Sequence, residues 1–390
     1  MKNPFQLSIA PNRIYGLDIL RASAILFVVL GHGALLLPEN LRAWHRYFVF
    51  EGVSIFFVLS GFLIGGILIK QFENNKAGFK LLGHFWLRRW FRTLPNYFLI
   101  LAVLILLHLL FYPEVKLGEF KLYFVFLQNF NWPHPPYFPE AWSLSIEEWF
   151  YLIIPLSLVI LLKFLKVNTK QAVLSLVLFI IIASLLYRFW RFHSLDIQTK
   201  VDWANFFRKQ VSTRMDSLMF GVGAAYLKFY QQQLWKLRPK LLFALGLSLF
   251  LFNKILFVAE LIPFNGLYKT TFSFSLISLA TALLLPYLNS LKSGDGWLYR
   301  NLSRISLISY SMYLINLSLV QGFIIRKINW DRIIEDPIIS ALTQYALFWI
   351  ITLGLSTLLY KYFEIPSTRI RDSRRLKRLL KKEDLLSPKP

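Results

Sequence analysis

Near its start the chain places Asp18, Arg21 and His32 inside an apolar run, where an ionisable group is expensive and is therefore a candidate for function. Imidazole titrates close to neutrality and suits proton transfer, while a guanidinium suits phosphate or a developing oxyanion. On a helix, the step from Arg21 to His32 turns through about 1100°, within about 20° of three full turns, so the two share a face about 16 Å apart along the axis. Asp18 lies about 60° from that stripe. Such a line of polar groups faces a bundle interior or a cavity. Two plainer readings stand beside the catalytic one: Asp18 and Arg21 as an ion pair one turn apart, and His32 as a hydrogen-bonded contact between helices.

The elements that must position these groups follow from composition. Of 390 residues, 56% are hydrophobic and 17% aromatic, with 37 Phe, 12 Trp and no Cys; only 17% are charged. A soluble domain carries about 25% charge. The balance excludes disordered, collagen-like, coiled-coil and disulfide-built chains and describes an all-α integral membrane protein. The lack of cysteine also excludes a thiolate metal site and an S-acyl enzyme intermediate.

Apolar runs of about 20 residues predict a bundle of about ten transmembrane helices, near 15–37, 50–69, 95–112, 146–162, 171–187, 215–230, 241–258, 268–288, 302–325 and 341–360. The first run contains His32 and lacks a small-residue cleavage site, so it does not read as a signal peptide. A shorter piece at 119–130 runs into a Pro-rich stretch and reads as interfacial or re-entrant. The net charge of +23 tests the count. With ten spans the excess of Lys and Arg falls on the face that holds both termini, whereas eleven would translocate the basic tail.

The expectation is one multi-span domain over 1–368 and a basic tail at 369–390, with N- and C-termini cytoplasmic. The outer face is then close to neutral. Basic runs at 70–92 and 361–389 read as topology determinants and contacts with membrane lipid. No RRM- or OB-like pattern accompanies them, so no nucleic-acid partner is expected.

Several short patterns occur in one order: Arg21-x10-His32; Phe56-Phe-Val-Leu-Ser-Gly-Phe-Leu-Ile64; Arg89-x-x-Arg92-x-x-Pro95-x-Tyr97; Trp142-Ser-Leu-Ser-Ile-Glu147-Glu-x-Phe-Tyr151. They continue with Arg214-Met-Asp-Ser-Leu-x-x-Gly221, Ser309-Tyr-Ser-Met-Tyr-Leu314 and Tyr362-x-Glu364-x-Pro366. Each is weak alone. Together, from Arg21 to about Arg371, they resemble the acyltransferase-3 family of membrane-bound O-acyltransferases. The chain departs from that pattern at Ser54, where the family usually has an acid. It departs again at Asn316, where a His is common and where Asn cannot exchange a proton near neutral pH.

The resemblance implies transfer of an acyl group, usually acetyl from cytoplasmic acyl-CoA, to a carbohydrate hydroxyl, in a multi-pass protein of the bacterial cytoplasmic (inner) membrane, and the near-neutral outer face suits an uncharged sugar hydroxyl as that acceptor. His32 is then the general base, and Glu147, at the outer start of the span near 146, orients or charge-stabilises it. Arg89 and Arg92, on a Trp-rich interfacial helix at 84–92, would hold CoA phosphates, and Arg21 either a phosphate or the oxyanion. Asp18, Trp142, Ser143, Ser145 and Arg214 are candidate substrate contacts, with Arg214 and Asp216 alternatively an ion pair at a helix start.

No Gly-x-Ser-x-Gly elbow, Walker loop or paired-His spacing is present, so hydrolase, ATP and metal chemistry are not expected. The competing class is a non-enzymatic transporter or channel using the Asp18, Arg21 and His32 stripe as a path, though no internal repeat relates two halves. A structural scaffold would need neither Arg21 nor His32.

Overall fold

A computed structural model describes residue 7 and residues 13–74 and 78–371; the basic tail expected at 369–390 lies outside the described residues beyond Arg371. The protein is an all-α integral membrane protein, and no strand occurs among the described residues. Its long helices are α1 (Tyr15–Gly33), α2 (Gly52–Asn74), α3 (Phe79–Phe111), α4 (Ala141–Lys163) and α5 (Thr169–Ser194). They continue with α6 (Val211–Tyr230), α7 (Pro239–Val258), α8 (Ser273–Ser290), α9 (Gly296–Ile315) and α10 (Pro337–Leu359). Each of the ten apolar runs falls on one of them. Among the described residues, nine helices are long and apolar enough to cross a membrane; α6 is the exception among the ten because Arg214, Asp216 and Lys228 interrupt it.

Those charges are tolerable in α6 because neighbouring helices satisfy them. Arg188 of α5 is fully buried and donates from Nη2 to Asp216 Oδ2 at 2.7 Å and to Ser275 Oγ at 2.7 Å, and from Nε to Thr271 O at 3.0 Å. A buried ion pair is stable only when further hydrogen bonds saturate it in this way. Asp216 is therefore paired with Arg188, not with Arg214 as its spacing suggested. Arg214 instead donates to Ser54 Oγ at 2.7 Å and lies over the Phe274 ring at 4.2 Å. Ser54, one of the two departures, is thus the hydrogen-bond partner of a buried arginine.

Helix α2 packs against α6 at a distance that only glycine permits. A Cβ on Gly61 would lie 1.9 Å from Leu218 O, and one on Gly221 would lie 2.0 Å from Val58 O. Both obstacles are backbone, so the helices themselves would have to part. Gly221→Ala is expected to destabilise the protein by about 1–3 kcal/mol or more, as overpacking does. The check is the thermal unfolding midpoint in detergent, and an unchanged midpoint would show that the crossing can relax.

Two connections differ from, or complete, the sequence reading. The expected interfacial helix at 84–92 and span at 95–112 form one continuous α3 of 33 residues with Pro95 inside it. Membrane helices accept an internal proline, and one turn of this segment is tied to α9, where Tyr310 Oη donates to Thr93 O at 2.7 Å. The 119–130 piece is a short 3₁₀ helix, Leu117–Val125, ended by a left-handed Phe126 at φ 57°, and does not cross.

Candidate functional site

Two cavities lie along α1. The first, about 450 Å³, is lined by Arg13, Arg21, Arg89, Arg92 and Arg369 together with Glu147 and Glu364. The second, about 500 Å³, is lined by His32, Trp142, Glu51, Arg208, Lys209 and Lys254. Val53 and Tyr313 line both. Arg13 and Arg369, from the two ends of the described chain, meet in the arginine cavity, so both ends lie on one face.

His32 sits in the last turn of α1, where the side chain clears the helix and reaches the π-helical continuation of α9, Asn316–Ile325. His32 Nδ1 is 2.6 Å from Asn316 Oδ1. The Asn316 amide is itself fixed, since its Nδ2 donates to Met312 O at 2.8 Å and to Tyr313 O at 3.0 Å. Its oxygen therefore faces the imidazole. An amide oxygen only accepts, so Nδ1 carries the proton and Nε2 keeps its lone pair as a base. Asn316 thus takes the orienting role, and it needs no proton of its own to do so. Gln321 Nε2 holds the His32 carbonyl at 2.9 Å.

Glu140, immediately before α4, braces this arrangement. Its carboxylate accepts from Leu317 N at 3.2 Å, from Ser318 N at 2.7 Å and from Ser318 Oγ, all at the change from α to π geometry beside Asn316. Burial pushes its carboxyl up to about 7, against these hydrogen bonds, which favour the charged form. π segments are concentrated at functional sites, and this one starts on the residue that orients His32.

The wall between the cavities is formed by Tyr313, whose hydroxyl is 2.6 Å from Ser143 Oγ and donates to Glu140 O at 3.1 Å. Phe56 packs edge-on against the Tyr313 ring at 6.3 Å. In the arginine cavity, no described residue hydrogen-bonds the Arg21 or Arg92 guanidinium. Both share that cavity with the Glu147 and Glu364 carboxylates, whose charges act on them without a hydrogen bond, and a guanidinium so placed keeps its fork for a planar anion. Glu364 accepts from Asn96 Nδ2 at 3.1 Å and Ser311 Oγ at 2.7 Å at its edge.

Not every candidate stands where its spacing suggested. Glu147 does not reach His32: it lines the arginine cavity and accepts from Tyr151 Oη at 3.3 Å. The reason is that α4 begins at Ala141, so Glu147 lies about 7.5 Å further along the helix axis than a start near 146 implies. Asp18 lines neither cavity. It is buried and held by Arg13 Nε at 2.8 Å and Ser306 Oγ at 2.8 Å, so its partner is Arg13 and not Arg21. Ser145 is buried against Gln128 Nε2 at 2.5 Å, and Arg214 against Ser54, so neither lines a cavity.

Trp142 lines the histidine cavity, Ser143 the arginine cavity, and Arg89 and Arg92 join Arg21 there. The sequence reading missed Arg13, Glu140 and the orienting role of Asn316. It also missed Arg208, Lys209 and Lys254, which make the histidine cavity locally cationic where a near-neutral outer face was expected. Only the Trp-Ser-x-Ser-x-Glu pattern just after Glu140 could have drawn attention to it.

Comparison with known proteins bears on what the site does. A family profile described as an acyltransferase domain matches residues 14–361. The peptidoglycan O-acetyltransferase OatA of Listeria monocytogenes is 35% identical over 166 residues, which cover 38% of this chain and 25% of that protein. The O-acetyltransferase OatA of Staphylococcus aureus is 32% identical over 171 residues, 40% of this chain and 26% of that protein. The chain therefore aligns with about a quarter of the length of these relatives. No solved structure matches it. With the profile spanning α1 to α10, the resemblance carried by its ordered motifs is membership: the chain belongs to the acyltransferase-3 family.

Proposed function

We propose that the chain is a membrane O-acyltransferase. It moves an acetyl or other short acyl group from cytoplasmic acyl-CoA to a hydroxyl of a surface or exported glycan, in the bacterial cytoplasmic membrane. The observation that carries this reading is His32, its Nε2 freed by the Asn316 contact, in a cavity that shares Tyr313 with a second cavity holding open arginines.

The donor enters the arginine cavity, where Arg21 and Arg92, with Arg13, Arg89 and Arg369 around them, meet its phosphates. The acceptor enters the histidine cavity. At their junction the sugar oxygen bonds to the thioester carbonyl carbon and the carbon–sulfur bond breaks. His32 Nε2 takes the hydroxyl proton and passes it to the departing thiolate. No group of three or more metal-type ligands occurs among the described residues, and the step as written uses none.

The test is release of CoA from acetyl-CoA by the purified protein with a glycan acceptor present, joined to mass spectrometry of surface glycan from a deletion strain and its parent. Acceptor-dependent CoA release and a mass difference of one acyl group are expected. No release and identical glycans would sink the reading and leave a transport role. Asn316→Ala, which frees the imidazole to rotate, is expected to lower kcat about 10²-fold, as misplacement of a catalytic group does; full kcat would remove Asn316 from the mechanism.

A further inference from the structure

The histidine cavity is cationic beyond what acyl transfer requires. Arg208, Lys209 and Lys254 line it, and the two carboxylates beside them are engaged. Glu51 accepts from Arg208 Nη2 at 3.0 Å, and Glu140 is held by Leu317 and Ser318. Among the described residues, no carboxylate pairs with Lys209 or Lys254. The Lys254 ammonium bonds Val49 O, stands 5.4 Å from the face of Phe50, and feels the Glu51 charge only at a distance, since Glu51 is bonded to Arg208. Lys209 is drawn far enough from water that burial, with the Arg208 charge adding to it, pulls its ammonium down to about 8. A cation removed from water without a counter-charge is destabilising, and an incoming anion offsets that cost. Around these cations stand Trp142, Trp203 and Phe274, an apolar wall of the kind that receives the body of a small ligand while a few charges fix its orientation.

We propose that the acceptor glycan carries an anionic group, a carboxylate or a phosphodiester, on or next to the sugar that is acylated. Lys209 and Lys254, with Arg208, bind that group in the His32 cavity. This rests on the acyl-transfer reading above, and it replaces the uncharged acceptor site that the near-neutral outer face suggested. The anion fixes which sugar residue presents its hydroxyl to Nε2, so the two lysines determine acceptor choice and leave the donor side to the arginines.

In the test, surface glycan from the native host is separated by anion exchange into acidic and neutral fractions, and its acyl esters are located by mass spectrometry. This is done for the wild-type chain, for the double variant Lys209→Gln, Lys254→Gln and for Lys209→Arg, Lys254→Arg. Esters are expected on residues that bear or adjoin a carboxylate or phosphodiester. The Gln pair is expected to lower them at least about tenfold, the effect of losing a charged hydrogen bond, and the Arg pair to retain most of them. Wild-type esters confined to neutral residues remote from any anion overturn the proposal, whatever the variants do. So does full esterification by the Gln pair. Esters on neutral sugars, with a Gln-pair defect that appears in vesicles containing phosphatidylglycerol and not in phosphatidylcholine alone, overturn it in favour of lipid headgroups. No ester in the wild type removes the acyl-transfer reading itself.

Discussion

His32→Ala is expected to lower the acyl-transfer rate by about 10²–10⁴-fold, the range that a positioned general base supplies. The loss should fall on kcat, because the cavity proposed for the donor is the other one and His32 does not line it. Folding should survive. His32 holds Asn316 by a side-chain contact, but the Gln321 bond to its backbone carbonyl persists in the variant. The check is a progress curve of CoA release beside a thermal unfolding midpoint, since a folded variant with wild-type turnover would exclude His32 as the base.

Arg21→Ala is expected to cost about 10²-fold in kcat/KM for acetyl-CoA, as truncating one partner of a desolvated charge pair does. Position on α1 decides how the loss divides. Arg21 opens into the arginine cavity and does not line the one that holds His32, so under the proposed function it would meet the charged part of the donor and not the reacting carbonyl. The effect should therefore be carried by KM and be largely recovered at saturating donor. A loss in kcat that saturation leaves untouched would instead put Arg21 at the oxyanion. Arg21→Lys should restore only part of the affinity, because an ammonium lacks the planar fork that matches phosphate.

The fold was legible because hydrocarbon imposes one rule on every helix: a long apolar run, or else charges that neighbours satisfy. Even α6 was found, since its apolar residues outnumber Arg214, Asp216 and Lys228. Pro95 misled because proline usually ends helices in water, whereas here α3 runs through it. At the site, the pairing of Arg21 and His32 on one helix was visible from spacing, but the wall that separates them was not. That wall comes from Tyr313 on α9 and Ser143 on α4, far apart in sequence, and no periodicity encodes such a meeting. Glu147 was misjudged by the uncertainty of a helix start. Asn316 was legible as a residue that hydrogen-bonds without exchanging a proton, but not as the partner of His32, because the two lie far apart in sequence.

That shared wall has an electrical consequence. If the donor stays on the side of Arg21 and the acceptor on the side of His32, an acyl group travels outward past Tyr313 while the hydroxyl proton travels inward to the thiolate. Formally, an acylium leaves one compartment and a proton replaces it, so no net charge crosses. The equilibrium of the transfer is then independent of membrane voltage, and the thioester alone, not the ion gradient, drives modification on the far side.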